Sequence, residues 1–241
     1  MTRFRLTTGP LALFGAIFVI ALIALLPLRL VLGQFDLART GFAAREATGS
    51  VWSGALRETA VGSIALGDMG AALSPWPLFV GRARVDLAGH STTTTRAVHG
   101  AVSVSRHSIG VDDMTAVLPG GAVFARFPVS GLDLDDVSVR FTDGNCEKAE
   151  GRVKATLGRD IAGISLAQGL SGTARCDGGA LLLPLASQAG TEQALVRIWP
   201  TGRFHAELTV KPVDAASALQ LEMSGFQQTA RGHVLTVEGK F

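Results

Sequence analysis

From Leu11 to Leu28 the chain is apolar without interruption, built from Leu, Ala, Ile, Val and Phe with one Gly and one Pro. Beyond Arg29 the run continues to Leu32. A helix needs roughly 20 apolar residues to cross a hydrocarbon core about 30 Å thick. This run reaches that length if Arg29 snorkels to the far interface. A helix also satisfies its own backbone polar groups inside lipid. The pattern predicts a transmembrane anchor over 10–32. Pro27 falls near its far end, where a lost hydrogen bond costs little. A cleaved signal peptide has a shorter apolar core, about 7 to 15 residues, followed by a small-x-small site. The segment from Pro27 to Gln34 offers no such site, so the reading is an uncleaved anchor.

Further along, continuous apolarity gives way to alternation. Val102 and Val104 alternate with Ser103 and Ser105, and Val137, Val139 and Phe141 with Ser138, Arg140 and Thr142. Val153, Ala155 and Leu157 alternate with Lys154 and Thr156, and Phe204, Ala206, Leu208 and Val210 with His205, Glu207 and Thr209. Period two marks strands with one buried and one wet face, which suits antiparallel sheets. Turn signals fall between them at Pro119-Gly120-Gly121, Asp143-Gly144-Asn145, Asp177-Gly178-Gly179 and Thr201-Gly202. Ala180 to Lys211 reads as a three-stranded meander joined near Gln188-Ala189-Gly190 and Thr201-Gly202. Asp214 is placed to cap a short helix through Met223, with Gly225 past its end. Pro77 to Gly81 suggests one further helical turn. Thr92 to Thr95 reads as a loop or strand edge.

The fold class expected is therefore mainly β: one N-terminal transmembrane helix, then an antiparallel β-rich domain with one or two short helices. Periodicity leaves open a long curved sheet, a sandwich or a barrel. The boundaries expected are a tail over 1–9, the anchor over 10–32, a stalk over 33–44 and the β-rich domain over 45–241.

Charge sets the orientation and excludes some partners. Arg3 and Arg5 flank the run on its N-terminal side and favour a cytoplasmic tail, with the large C-terminal part translocated. Arg29 and Arg39 stand beyond the span and narrow that margin. The formal net charge of the chain is +2, and Arg3 and Arg5 account for it. A neutral remainder lacks the basic stripe a nucleic-acid partner requires. The two cysteines, Cys146 and Cys176, are expected to pair in an oxidising compartment; the alternative is two separate buried thiols. Two cysteines alone do not build a four-ligand zinc site.

Catalytic chemistry leaves no motif. Among His90, His99, His107, His205 and His233, no pair flanks a Glu at the zinc-protease spacing. His205 lies on the polar face of its strand. Asp133, Asp135 and Asp136 lack the Gly and the distant Glu of a calcium loop, and read as a polar strand face. Asp112-Asp113 reads as a turn or edge. No Ser sits in a nucleophile elbow and no Gly-rich loop precedes a helix. The expectation is a non-enzymatic chain with no catalytic residue, metal or cofactor. Two aromatic segments stand out. Gly49-Ser50-Val51-Trp52-Ser53-Gly54 sets one large ring between two glycines that permit close backbone approach. Ser74-Pro75-Trp76-Pro77-Leu78 is a rigid segment carrying a second ring. Both read as packing near the membrane, with a partner-binding patch as the alternative.

In order along the chain stand Leu26-Pro27-Leu28-Arg29-Leu30, Gly49 to Gly54 around Trp52, and Leu73-Ser74-Pro75-Trp76-Pro77-Leu78. Ala149-Glu150-Gly151-Arg152, Leu170-Ser171-Gly172, Cys176-Asp177-Gly178-Gly179, Gly202-Arg203-Phe204 and Ser224-Gly225-Phe226 follow. Together these resemble the type II secretion system protein N family. The resemblance implies an accessory, single-pass component of the inner membrane with its large domain in the periplasm. Other secretion subunits are the implied partners, and no catalytic residue is implied. It also implies kinship with long grooved β-sheets that handle lipid between membranes. A lipid-handling module is the alternative function, and an enzyme retained by its leader is the weakest.

Overall fold

Alternation organises the chain beyond residue 42 into strands in a computed structural model that describes residues 10–34, 42–61, 64–89, 98–119, 129–158, 160–161, 164–165, 169–212 and 214–240. The first strands are β1 (Phe42–Ala43), β2 (Glu46–Ser50), β3 (Ser53–Val61), β4 (Ile64–Ser74), β5 (Ala83–Gly89) and β6 (His99–Val104). The middle of the chain supplies β7 (Ser108–Pro119), β8 (Val129–Thr142), β9 (Asn145–Leu157), β10 (Asp160–Ile161), β11 (Ile164–Ser165), β12 (Leu170–Thr173) and β13 (Arg175–Asp177). The last are β14 (Ala180–Ala186), β15 (Glu192–Ile198), β16 (Arg203–Val210), β17 (Gln227–Thr229) and β18 (Gly232–Lys240). All but β10 and β11 join one 16-stranded sheet, a meander from β1 and β3 through to β18 and β17. Every pairing is antiparallel.

The sheet is rolled. Val102 on β6 and Ile198 on β15 line the same cavity, although six strand spacings separate them in the sheet. In a flat sheet they would stand about 29 Å apart, at roughly 4.8 Å per spacing. Register shifts in the β3–β4, β6–β7, β7–β8 and β8–β9 pairings accompany the bend, since each bulge increases local twist. Of the architectures left open by periodicity, the long curved sheet is the one formed. Asp112-Asp113, expected as a turn or edge, lies inside β7 at one such shift, with Asp113 at φ 53°.

Two apolar cores result. The larger gathers Val137, Val139, Val153, Leu170, Leu183 and Leu208 from the C-terminal half of the sheet. It is closed by α4 (Ala215–Met223) through Leu221, and by Phe226. Asp214 accepts from Ser217 N at 2.7 Å and opens that helix. Gly225, at φ 90°, ends it, and Phe226 N returns to Leu221 O at 3.0 Å; a left-handed residue at that place suits Gly. The smaller core joins Leu28 to Val51, Leu56, Met69 and Ala71.

The N-terminal expectation needs correction. The apolar run is not one span but two helices, α1 (Pro10–Ala24) and α2 (Leu28–Gln34). Among the described residues no helix is long and apolar enough to cross a membrane. The 15 residues of α1 rise about 22 Å at 1.5 Å each. Pro27 breaks the run: it forms a bridge to Ser50 in place of a further helical turn. Arg3, Arg5, Arg39, His90 and the Thr92 to Thr95 stretch lie outside the described residues, as does most of the expected stalk. The turn expected over Pro77 to Gly81 starts earlier, as α3 (Pro75–Leu78), because Pro suits the first helical position.

Candidate functional site: an N-terminal junction and an apolar trough

The Gly49 to Gly54 segment is the tip of the β2–β3 hairpin, and it grips the break between α1 and α2. Val51 N donates to Leu26 O at 3.0 Å, and Trp52 Nε1 donates to Ile23 O at 2.9 Å. Gly49 pairs with Gly54 across the hairpin. A Cβ on Gly54 would overlap Leu28 Cδ2, so a side chain here would displace the Leu28 side chain by which α2 packs on the hairpin. Leu73 N completes the junction by donating to Val51 O at 2.8 Å. Arg29 is exposed on α2.

Pro75, Trp76 and Pro77 occupy the β4–β5 connection beside this junction. Trp76 is 81% exposed, which removes core packing as its role. Phe79 lies with its ring centroid 6.2 Å away and is equally open. Trp52, by contrast, packs against the smaller core.

The rolled sheet encloses a trough of about 420 Å³, lined almost wholly by apolar side chains of β6 to β9, β14 and β15. Trp199, Pro200 and Gly202 of the β15–β16 turn form one margin. Cross-strand pairing supplies its lining. Leu73, Val85, Val102, Val111, Val139 and Ala149 are successive partners across β4 to β9. This apolar ladder links the junction to the trough. Ile109 remains about half exposed there, as does Val104, its partner across β6–β7 beside the trough, whereas Ser103 on the opposite face is buried. The burial expected from polarity is thus inverted on β6: its apolar face borders the open trough.

The opposite face of the same strands is a polar network. Asp112 accepts from Ser103 Oγ at 3.0 Å and faces Arg84 at 3.6 Å and Arg140 at 3.4 Å. Partial burial pushes the Asp86 carboxyl upward, but hydrogen bonds from Ser74 and Arg84 outweigh it and hold the group below its ordinary value.

Residues 40–236 match the family described as type II secretion system (T2SS), protein N. The chain belongs to this family. No curated protein and no solved structure matches it. The matched region of this protein N family member contains nearly all of the sheet, both aromatic segments and the trough; α1 and α2 precede it.

Other candidate residues take structural places in the protein N fold. Cys146 and Cys176 form a disulfide, with their Cα atoms 5.5 Å apart, joining β9 to β13. Asp133 and Asp135 lie opposite Lys154 and Arg152 across β8–β9, and Arg152 donates to Asp135 at 3.0 Å. Among the described residues no three His, Cys, Asp or Glu converge to hold a metal. His107 faces Asp143 at 3.1 Å, and His205 lies between Glu207 and Glu238. His233 is buried, its Nε2 3.4 Å from Glu222 without hydrogen-bond alignment. One-faced alternation left an apolar groove open as an alternative to a closed core; which residues line the trough depends on strand register, which the sequence does not give.

Proposed function

We propose that this protein is a non-catalytic accessory component of the type II secretion machinery. It is held at the inner membrane by its N-terminal apolar segment and docks other secretion subunits through a periplasmic β-domain. The observation that carries this reading is family membership over residues 40–236. The membrane part is supported by α1, whose Phe14, Phe18 and Ile20 are each more than half exposed, an apolar surface suited to lipid. A helix pair can complete a span when neighbouring protein satisfies the backbone at the break. The cytoplasmic tail with Arg3 and Arg5 fits this orientation. Gene deletion with measurement of secreted hydrolases tests the role. Lost export, together with secretion subunits co-purifying with the full chain, is expected; unchanged export and no such subunit would sink it.

The apolar ladder and the open trough favour a second reading, a lipid-handling groove. An apolar lining that is buried at its floor and opens at Ile109 fits acyl chains better than water. Native mass spectrometry of the full chain released from nanodiscs then finds bound phospholipid. Replacing Ile109 with Glu abolishes that binding while the chain stays folded. Lipid-free spectra leave docking as the role.

A further inference from the structure

We propose that the β4–β5 connection is a wedge that inserts Trp76, Phe79 and Val80 into the headgroup region of the bilayer that receives α1. The proposal rests on α1 entering that bilayer. These three side chains are 81%, 84% and 81% exposed, and α3 has no buried residue. Aromatic rings bury large areas when they find a partner, and Trp is enriched where membrane meets water. The connection is also held in shape. Phe79 N donates to Trp76 O, Val80 N to Pro77 O, and Arg82 N to Pro77 O, and two prolines fix the backbone further. Little conformational freedom remains to be lost on insertion.

Position selects the bilayer as occupant. Two backbone hydrogen bonds, Leu73 to Val51 and Val51 to Leu26, tie the base of the wedge to the end of α1. The wedge therefore stands at the end of the sheet where the chain leaves α1. Charge agrees: Arg82 follows the wedge directly and Arg29 stands exposed on α2, whereas Arg84 is taken up by Asp86 and Asp112. Cations at this level meet anionic headgroups.

The test places single cysteines by Phe79→Cys, Val80→Cys, Phe18→Cys and Gln188→Cys in the full chain. Each carries an environment-sensitive fluorophore, attached without reductant so that Cys146 and Cys176 stay paired. Vesicles of phosphatidylethanolamine and phosphatidylglycerol carry nitroxide-labelled lipid. Positions 79 and 80 should lose fluorescence most to a nitroxide near the headgroup, and position 18 most to one deep in the acyl region. Position 188, on the β14–β15 turn at the other end of the strands, should lose none. Quenching at 18 with none at 79 and 80 overturns the wedge and spares the anchor, leaving the patch to a protein partner. No quenching at 18 overturns the anchor and the wedge with it. Equal quenching at 188 also overturns the wedge, because the whole domain then lies against lipid.

Discussion

The indole Nε1 of Trp52 donates to the backbone carbonyl of Ile23 at 2.9 Å. In a continuous helix that carbonyl would accept from the residue four positions on. That residue is Pro27, which has no N–H. Leu26 N approaches the same oxygen only at 3.4 Å. The indole is thus the donor that the proline lacks. A break that would leave a carbonyl short of a good donor is satisfied from the sheet domain, so the apolar segment and the sheet are joined at a fixed place.

Trp52→Phe keeps most of the ring contact and removes the N–H. It should cost about 1 kcal/mol, the usual net worth of a hydrogen bond, read as a lower denaturation midpoint of the solubilised chain. The amide of Val51, bonded to Leu26 beside it, should exchange faster. Trp52→Ala, which also vacates packing, should cost about 2–4 kcal/mol, below the range for a fully buried ring. Equal losses for the two variants would assign the whole effect to the N–H and none to packing.

Gly54 and Leu28 make a size pair. Gly54→Ala drives a Cβ into Leu28 Cδ2 and to 3.1 Å from Ser50 O. Overpacking of this kind costs about 1–3 kcal/mol. Leu28→Ala removes the obstacle but opens a cavity in the smaller core. The double variant should be less destabilised than the sum of the single ones, by about 0.5–3 kcal/mol. Strict additivity in denaturant unfolding would show that the two residues do not bear on one another.

Local features of this fold were legible from sequence where local chemistry decides them. Asp214, Met223 and Gly225 bracket α4 as expected, because capping and left-handed turns are settled within a few residues. The meander of β14, β15 and β16 follows its turn residues in the same way. Membership of the protein N family was also readable, from the order of short motifs. The break at Pro27 was not, since it depends on a partner 25 positions away in Trp52. Nor was the lining of the trough. Val102 and Val139 alternate like ordinary core residues, and only the roll of the sheet determines what covers them. The same holds for Trp76, which reads as a packing ring like Trp52 but is left exposed on its strand connection.

The disulfide closes a separation of 30 residues between β9 and β13. Chain entropy assigns a loop of that length about 3–4 kcal/mol. Replacing both cysteines with Ser should lower stability by that amount without unfolding the chain, because Cys146 N still donates to Gly179 O across the same gap. Urea titrations of the oxidised protein and the double variant measure the difference; coincident midpoints would refute it. Thiol labelling of denatured, unreduced protein should find no free cysteine.

His205 should make stability depend on pH. Its Nε2 meets Glu207 at 3.0 Å and its Nδ1 meets Glu238 at 2.9 Å, so both ring nitrogens donate only when the imidazole is charged. Arg231 faces Glu207 from 3.8 Å and tempers that carboxylate. The hydrogen bond to Glu207 raises the pKa above the ordinary 6.5, partial burial opposes it, and Glu238 adds to the rise. The native state therefore holds its proton to higher pH than the unfolded chain. The stabilisation is fully present below about 6.5, the unfolded value, and is lost as pH rises through the raised native value. Urea midpoints measured from about pH 5.5 to 8.5 should fall across that window. His205→Gln, which stays neutral throughout, should flatten this part of the profile and lie closest to the unsubstituted protein at the alkaline end. A variant whose midpoints fall in parallel with the unsubstituted protein would place the titrating group elsewhere.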